Sequence, residues 1–274
     1  MQLGIFSKAY KACDFETVCR HMKAQGFSWT QLNLGSAGID SYPEYVPDEK
    51  IGEIADAACR HGIRFAALSG TFNMIDPDES ARVRACVQFA EQCRVARELK
   101  IPTITLCTGS RHPRSKWLWH EENLSPKAWS ALMRSTEAVL KCAEENRVRL
   151  GIEPEKNNII CSAEKAREYL HTVDSDWLGI VMDGANLVYR EPPERMKEIL
   201  LEAFELLGPK IILAHAKDIS RNEEESFVAA GDGRLDYEAY IRLLKLHRYE
   251  GPLILHGLGE EQAPRSARFL RDFL

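Results

Sequence analysis

The chain has 274 residues, of which 45% are hydrophobic and 28% charged, a balance typical of a globular protein with a substantial core. The net charge of −5 argues against a nucleic-acid partner, and no apolar run approaches the ~20 residues of a membrane span. The first residues enter a strand-like run rather than a signal peptide, and the eight cysteines include no C-x-x-C pair. We therefore expect free thiols and a cytoplasmic location.

Apolar strand-like runs alternate with helix-like stretches along the chain. The predicted strands are residues 2–6, 28–34, 63–68, 103–107, 148–152, 178–182, 211–215 and 252–256. The predicted helices are residues 14–25, 48–61, 78–99, 126–146, 162–172, 194–207, 236–247 and 262–273. Asp14 and Asp48 are predicted N-caps of the first two helices. Buried strands separated by helices indicate parallel pairing, so eight such units predict one domain, a closed (β/α)8 TIM barrel over residues 1–274.

The last four predicted strands each end on a side chain that can bind a metal. These side chains are Glu153, Asp183, His215 and His256. The carboxyl ends of the strands form the active face of a TIM barrel, so the four should converge on one half of its rim. Burying two carboxylates together is costly unless a cation compensates. The ligand types favour Mn²⁺, Zn²⁺ or Co²⁺, with Mg²⁺ as an alternative, and we predict one divalent ion bound by all four side chains.

The segments around these residues resemble those of the xylose-isomerase-like barrels. They read Leu-Gly-Ile-Glu153-Pro-Glu, Val-Met-Asp183-Gly-Ala-Asn-Leu, Ala-His215-Ala-Lys-Asp218 and Gly231-Asp-Gly-Arg-Leu-Asp236-Tyr. That group includes sugar-phosphate isomerases and epimerases, hydroxypyruvate isomerases, inosose dehydratases and type IV endonucleases. The resemblance implies a divalent metal on Glu153, Asp183 and His215, a sugar or sugar-phosphate substrate, and Glu153 as a base that removes a proton next to a carbonyl.

Two positions depart from the epimerase pattern that the resemblance implies. The last strand ends on His256, where the epimerases carry a second Glu. His256 is therefore open to three interpretations: a fourth ligand, a catalytic acid/base opposite Glu153, or a structural histidine. Asn186 stands where epimerases often carry a substrate-binding His, and its amide can bind a hydroxyl group but cannot act as a base.

Residues 108–126 form a long segment that is predicted to be a lid over the active face. Arg111 and His112 are its candidate substrate contacts, with a solvated surface loop as the alternative. Trp117 and Trp119 are expected to bury themselves and so to order the segment.

Other polar residues near the strand ends are candidates for binding substrate. Glu155 could orient a ligand or bind a hydroxyl group, and a surface carboxylate is the alternative. Lys217 could contact substrate or support His215, and a salt bridge at the rim is the alternative. Arg114 and Lys116 could receive a phosphate or carboxylate group.

The leading functional prediction is a metal-dependent sugar or sugar-phosphate isomerase or epimerase. A dehydratase of a cyclic polyol or keto acid is the runner-up, because it needs the same enolate stabilisation and an acid that His256 could supply. A DNA-repair endonuclease of this group needs a three-metal site with an Asp-x-x-His pattern, which Asn186 breaks. A non-catalytic sugar-binding barrel would leave the ligand set without a use. Homo-oligomer formation is left open.

Overall fold

The strands close into a parallel barrel in a computed structural model that describes residues 1–12, 14–222 and 226–274. The barrel strands are β1 Leu3–Phe6, β2 Trp29–Leu32, β3 Arg64–Ser69, β4 Thr103–Leu106, β5 Arg149–Ile152, β6 Leu178–Asp183, β7 Ile211–Ala216 and β8 Leu253–Leu255. Strands adjacent in the chain pair in parallel, and β8 pairs with β1. The predicted TIM barrel is confirmed.

Helices follow the strands and pack around the barrel. They are α1 Phe15–Ala24, α2 Asp48–His61, α3 Glu79–Glu98, α4 Pro126–Asn146, α5 Ala163–Val173, α6 Met196–Leu207, α7 Tyr237–Leu246 and α8 Ala263–Arg271. Asp14 caps α1 as predicted, its carboxylate accepting from the Thr17 N–H at 2.8 Å. The prediction for Asp48 is wrong. It is the first residue of α2, where its carboxylate favours the helix dipole and pairs with Arg94 at 2.7 Å.

The interior of the barrel is a packed layer of apolar side chains. Its buried members are Ala66, Ala67, Val181, Leu213 and Ile254. Gly151 on β5 leaves the space that a larger neighbour fills, since a Cβ there would lie 2.7 Å from Val181 Cγ2. A filled interior leaves room for a site only at the ends of the strands.

Register irregularities set which side chains meet at the carboxyl face. Between β6 and β7, Ile180 pairs with Ile211 but Val181 pairs with Leu213, so one residue of β7 is left over. Beyond this bulge Asp183 lies directly opposite His215. Bulges commonly occur next to active sites, where they re-aim side chains, and this one determines that the two candidate ligands are neighbours.

Asp218 organises the long connection between β7 and α7. Its Oδ1 accepts hydrogen bonds from the N–H groups of Ile219 and Leu235 at 2.9 Å, and its Oδ2 accepts from those of Gly231 and Gly233 at 3.1 Å. The side chain is buried, and a Cβ on Gly233 would lie only 2.2 Å from Oδ1. The glycine turn therefore donates its backbone N–H groups to a carboxylate of the chain itself.

Replacing Asp218 with Ala should lower the free energy of unfolding by roughly 3 kcal/mol, because four backbone donors lose their acceptor. Urea unfolding followed by circular dichroism measures the change. Asp232→Ala is the matched control, since it removes a carboxylate of the same connection that pairs with Arg265 near the surface. The control should cost no more than about 1 kcal/mol. Equal losses for the two variants would contradict the organising role of Asp218.

Two further features concern the helices and the cysteines. Within the described ranges, each helix is too short or too polar to span a lipid bilayer. The described cysteines carry free thiols, and Cys13 lies outside the described residues.

Candidate metal centre and substrate cavity

Three of the predicted ligands converge at the carboxyl ends of β5, β6 and β7. One ligand atom from each of Glu153, Asp183 and His215 lies within 4.8 Å of the others. His215 Nδ1 is 3.3 Å from Glu153 Oε1 and 3.9 Å from Asp183 Oδ2. Asp183 and His215 are each 1% exposed, so solvent does little to offset the concentration of charge. The adjacency of the three strands brings these residues together.

A hydrogen bond at the ring nitrogen that does not face the carboxylates sets the tautomer of His215. His215 Nε2 lies 2.7 Å from Gln31 Oε1. Since an amide oxygen only accepts, Nε2 carries the proton and Nδ1 presents its lone pair to the carboxylates. The Gln31 amide nitrogen in turn donates to Thr105 Oγ1 at 3.2 Å. Gln31 and Thr105 were not predicted as site residues, although polar side chains within otherwise apolar inner strands were a visible signal.

The donor set fits a divalent cation. His215 Nδ1 and Asp183 Oδ2 are both buried. Nδ1 has no hydrogen-bond partner, and Oδ2 pairs with the ammonium group of Lys217 at 3.2 Å. In the neutral tautomer of His215, lone pairs from a nitrogen and two carboxylates face one another, an arrangement that is unfavourable without a positive charge between them. Two carboxylates and one imidazole suit borderline cations such as Mn²⁺, Zn²⁺ and Co²⁺. Glu153, Asp183 and His215 could therefore hold a metal ion.

Lys217 and Asn186 link the two carboxylates. Lys217 Nζ lies 3.2 Å from Asp183 Oδ2 and donates to Asn186 Oδ1 at 2.6 Å. Asn186 Nδ2 donates to Glu153 Oε1 at 2.6 Å. Burial opposes the charged form of Lys217, but the carboxylates of Asp183 and Glu153 outweigh it and raise the pKa of Lys217. Asn186, predicted to bind substrate, instead uses both ends of its amide to position Glu153 and Lys217.

The pKa values of the two glutamates at the β5 end are shifted in opposite directions. Burial acts to raise the pKa of Glu153, but the contact with His215 and the positive charge of Lys217 prevail and hold it well below its usual range. Burial and the nearby Glu153 carboxylate raise the pKa of Glu155 to about 8. Burial also raises the pKa of Asp183. Neighbouring carboxyl groups with such separated pKa values are typical of acid–base chemistry.

His256 lies beside the cluster but outside it. Its ring stacks on His215, with centroids 4.7 Å apart and planes within 14°, and its other face stacks on Phe6. Because the two rings are stacked face to face, their in-plane lone pairs lie in different, nearly parallel planes. Burial above all, together with the neighbouring His215 and the charge of Lys217, lowers the pKa of His256 well below its usual value, which makes it a weak base. The structure therefore does not bring His256 into the ligand set and favours the structural interpretation.

A polar cavity of 280 Å³ opens at this end of the barrel. Hydroxyl and amide groups line it on the side of β1–β4, and Glu153 and Glu155 line it on the side of β5. The hydroxyl and amide side chains of the first side are those of Gln31, Asn33, Ser41, Ser69, Thr71 and Thr105, and Lys8 and Lys116 add ammonium groups. Lys217 and His256 also reach it. A small polyhydroxylated molecule would find hydrogen-bond partners on every wall.

The segment 108–126 contributes to the cavity through residues other than those predicted. Arg111 is buried, and its Nη1 donates to the carbonyl oxygens of Ile75 and Asp76, so it supports the neighbouring loop. His112 accepts from a backbone N–H within its own segment, and neither residue lines the cavity. Trp117 lines the cavity, but it is 46% exposed and Trp119 is 41% exposed. The expectation that both tryptophans bury themselves is wrong; buried side chains such as Asn123, which accepts from the Arg111 N–H, hold this segment instead.

The closed (β/α)8 barrel of this chain is the fold of a known protein family. Residues 14–273 match the model of the xylose isomerase-like TIM barrel family, and the chain belongs to that family. No curated protein matches the sequence.

Solved structures share the fold along the whole chain. The 3-keto-D-glucoside 4-epimerase of E. coli has a TM-score of 0.76 at 18% identity, with 99% of each chain covered. The D-psicose 3-epimerase of Clostridium cellulolyticum H10, solved with D-tagatose, has a TM-score of 0.74 at 17% identity, covering 100% of this chain and 98% of that one. A xylose isomerase-like barrel from Mycobacterium smegmatis in complex with magnesium has a TM-score of 0.73 at 15% identity, covering 94% and 87%.

Proposed function

We propose that this protein is a metal-dependent isomerase or epimerase of a sugar or sugar phosphate. The observation that carries the proposal is the convergence of Glu153, Asp183 and His215 on one point beside a cavity of polar groups, with the buried His215 Nδ1 lacking a hydrogen-bond partner. The similarity in fold to a 3-keto-D-glucoside 4-epimerase and a D-psicose 3-epimerase supports it.

Glu153, Asp183 and His215 would hold the ion, with Mn²⁺, Zn²⁺ or Co²⁺ preferred and Mg²⁺ as the alternative. A bound divalent cation polarises a substrate carbonyl and stabilises the negative charge that develops on its oxygen. Glu153 remains ionised, and Asn186 occupies its Oε1 at 2.6 Å, so Oε2 is the atom that accepts the proton from the carbon next to the carbonyl. Lys217 neutralises part of the negative charge of the cluster, and Glu155 offers a hydrogen bond to a substrate hydroxyl group.

The test is solvent exchange. Metal-loaded protein is incubated with a panel of ketoses and inososes in D₂O, and deuterium incorporation and products are followed by NMR. A product isomeric with its substrate and carrying solvent deuterium would support the proposal. Loss of water from the substrate would instead identify the dehydratase, the runner-up. Absence of exchange across the panel would contradict an enzyme of either kind and favour a sugar-binding barrel.

The proposal includes a small-molecule partner and a cytoplasmic location. The free thiols of the described cysteines agree with a reducing compartment. A DNA-repair role is disfavoured by the net charge of −5 and by Asn186, whose amide is committed to Glu153 and Lys217. The proposal leaves open whether the protein forms a homo-oligomer. Size-exclusion chromatography with light scattering measures the oligomeric state directly.

Replacing Gln31 with Leu should weaken metal binding about 10–100-fold, because His215 loses the acceptor that holds its tautomer and ring orientation. Competition with a fluorescent chelator measures the dissociation constant. Gln31→Glu is the matched control, since a carboxylate oxygen can still accept from Nε2–H, and it should keep most of the affinity. Unchanged affinity in Gln31→Leu would show that the hydrogen bond does not serve the metal centre.

A further inference from the structure

Two lysines stand at the rim of the cavity without an anionic partner. Lys8 lies in the turn Ser7–Ala9 that follows β1, and Lys116 lies in the segment after β4; both line the cavity. In the part of the chain that the structure describes, neither ammonium group forms an ion pair, whereas Lys217 pairs with two carboxylates. These two positive charges are therefore not needed to balance the metal ligands.

The contacts of Lys116 hold its ammonium group in place. Its Nζ donates to the carbonyl oxygen of Thr71 at 3.0 Å and lies 5.3 Å from the centre of the Trp117 ring. One carbonyl leaves two of the three N–H donors of the ammonium group for another molecule. Burial lowers the pKa of Lys116 and the charge of Lys8 acts in the same direction, whereas the carboxylates of Glu155 and Asp76 oppose the shift. Two ammonium groups that line one cavity without a salt bridge form a place where an anion would be stabilised.

The charged side chains of the cavity lining come from separate connections. Glu153 and Glu155 follow β5 together with the candidate metal ligands, and Lys217, which also lines the cavity, pairs with Glu153 and Asp183. Lys8 and Lys116 come from the connections after β1 and β4, and uncharged side chains such as Asn33, Ser69 and Thr71 complete the lining. A substrate that matches this pattern has a neutral polyol body and an anionic group at one end.

We propose that Lys8 and Lys116 form a subsite for an anionic substituent of the substrate, a phosphate or a carboxylate, while its carbonyl end faces Glu153. The placement of a carbonyl group at the other end of the substrate, facing Glu153, rests on the proposed function. It narrows the substrate class to acidic sugars, that is, sugar phosphates or sugar acids. Ammonium groups with free donors bind such anions through charge-assisted hydrogen bonds.

Calorimetry with matched probes tests the subsite. D-glucitol is the neutral probe, D-glucitol 6-phosphate the phosphate probe and D-gluconate the carboxylate probe. Metal-loaded wild-type protein should bind at least one anionic probe tighter than D-glucitol, and Lys8→Gln or Lys116→Gln should each reduce that preference roughly tenfold. Whichever anionic probe shows the larger preference identifies the group. Lys127→Gln, which makes the same change in charge at an exposed position of α4, should leave the preference intact.

The result separates the subsite from the proposed function. The same titrations in an Asp183→Asn/His215→Gln variant, which lacks two metal ligands, should keep the preference for the anionic probe. Equal binding of neutral and anionic probes to wild-type protein, or a preference that survives in the Lys8→Gln/Lys116→Gln variant, would overturn the subsite. In that case the proposed isomerase function could still be supported by deuterium exchange of neutral sugars. Conversely, if exchange fails but the protein still prefers the anionic probe, only the proposed isomerase function is contradicted.

Discussion

Protein carrying Asp183→Asn together with His215→Gln is expected to bind a divalent ion roughly 1000-fold more weakly than wild type. The variant loses two of the three candidate ligands. Removing a residue that only hydrogen-bonds a ligand typically lowers metal affinity 10–100-fold, and removing a ligand itself should lower it more. The Asn oxygen can still accept from the Ala185 N–H, as the Asp183 carboxylate does at 3.0 Å, so the local backbone keeps its support. Metal content after dialysis, by mass spectrometry, and chelator competition measure the effect.

His256→Gln is the informative comparison for that experiment. Because the His256 ring stacks on His215 and lies outside the cluster, this variant should retain a full equivalent of metal. Equal metal content in wild type and in the Asp183→Asn/His215→Gln variant would refute the metal centre. Loss of the ion from His256→Gln as complete as from the double variant would restore His256 as a fourth ligand.

Glu153→Gln is expected to slow the exchange of substrate hydrogen with solvent by about 10²–10⁴-fold. The replacement has the same shape and can still accept from Asn186 Nδ2, which lies 2.6 Å from Glu153 Oε1. It cannot accept a proton from carbon. The rate of deuterium incorporation measured by NMR, with metal in excess, separates the loss of the base from the loss of a ligand.

Glu155→Gln is the matched control for that prediction, since it changes the neighbouring carboxyl group in the same cavity. It should raise KM several-fold by weakening a contact to substrate, and leave exchange at saturating substrate within about tenfold of wild type. Wild-type exchange in Glu153→Gln would show that another group removes the proton. Equal losses in kcat for the two variants would contradict the assignment of distinct roles.

The fold and the three residues of the candidate metal site could be predicted from the sequence, because the signals are local. An apolar run that ends on Glu153, Asp183 or His215 is visible without any knowledge of neighbours, and the order of strands in a TIM barrel then places their ends together. Asp14 was recognisable as a cap for the same reason, since its partner Thr17 is three residues away.

Residues whose roles depend on distant contacts were misjudged or missed. Gln31 supports His215 from the opposite half of the barrel, 184 positions earlier in the chain. Arg111 is of a residue type that binds anions, but its guanidinium donates hydrogen bonds to the carbonyl oxygens of Ile75 and Asp76 in another loop. His256 follows the last strand as the other ligands follow theirs, and only its stacking between Phe6 and His215 sets it apart.

The sequence by itself determined the (β/α)8 architecture of this protein and the side chains available at its carboxyl face, because periodicity and strand ends are written in consecutive residues. Tertiary structure alone decided the register that pairs Asp183 with His215, the stacking of His256 on His215, and the presence of Lys8 and Lys116 in the lining of one cavity. Those outcomes depend on a β-bulge, on ring packing and on the path of long loops. They are settled by contacts between segments far apart in the chain, which no local pattern records.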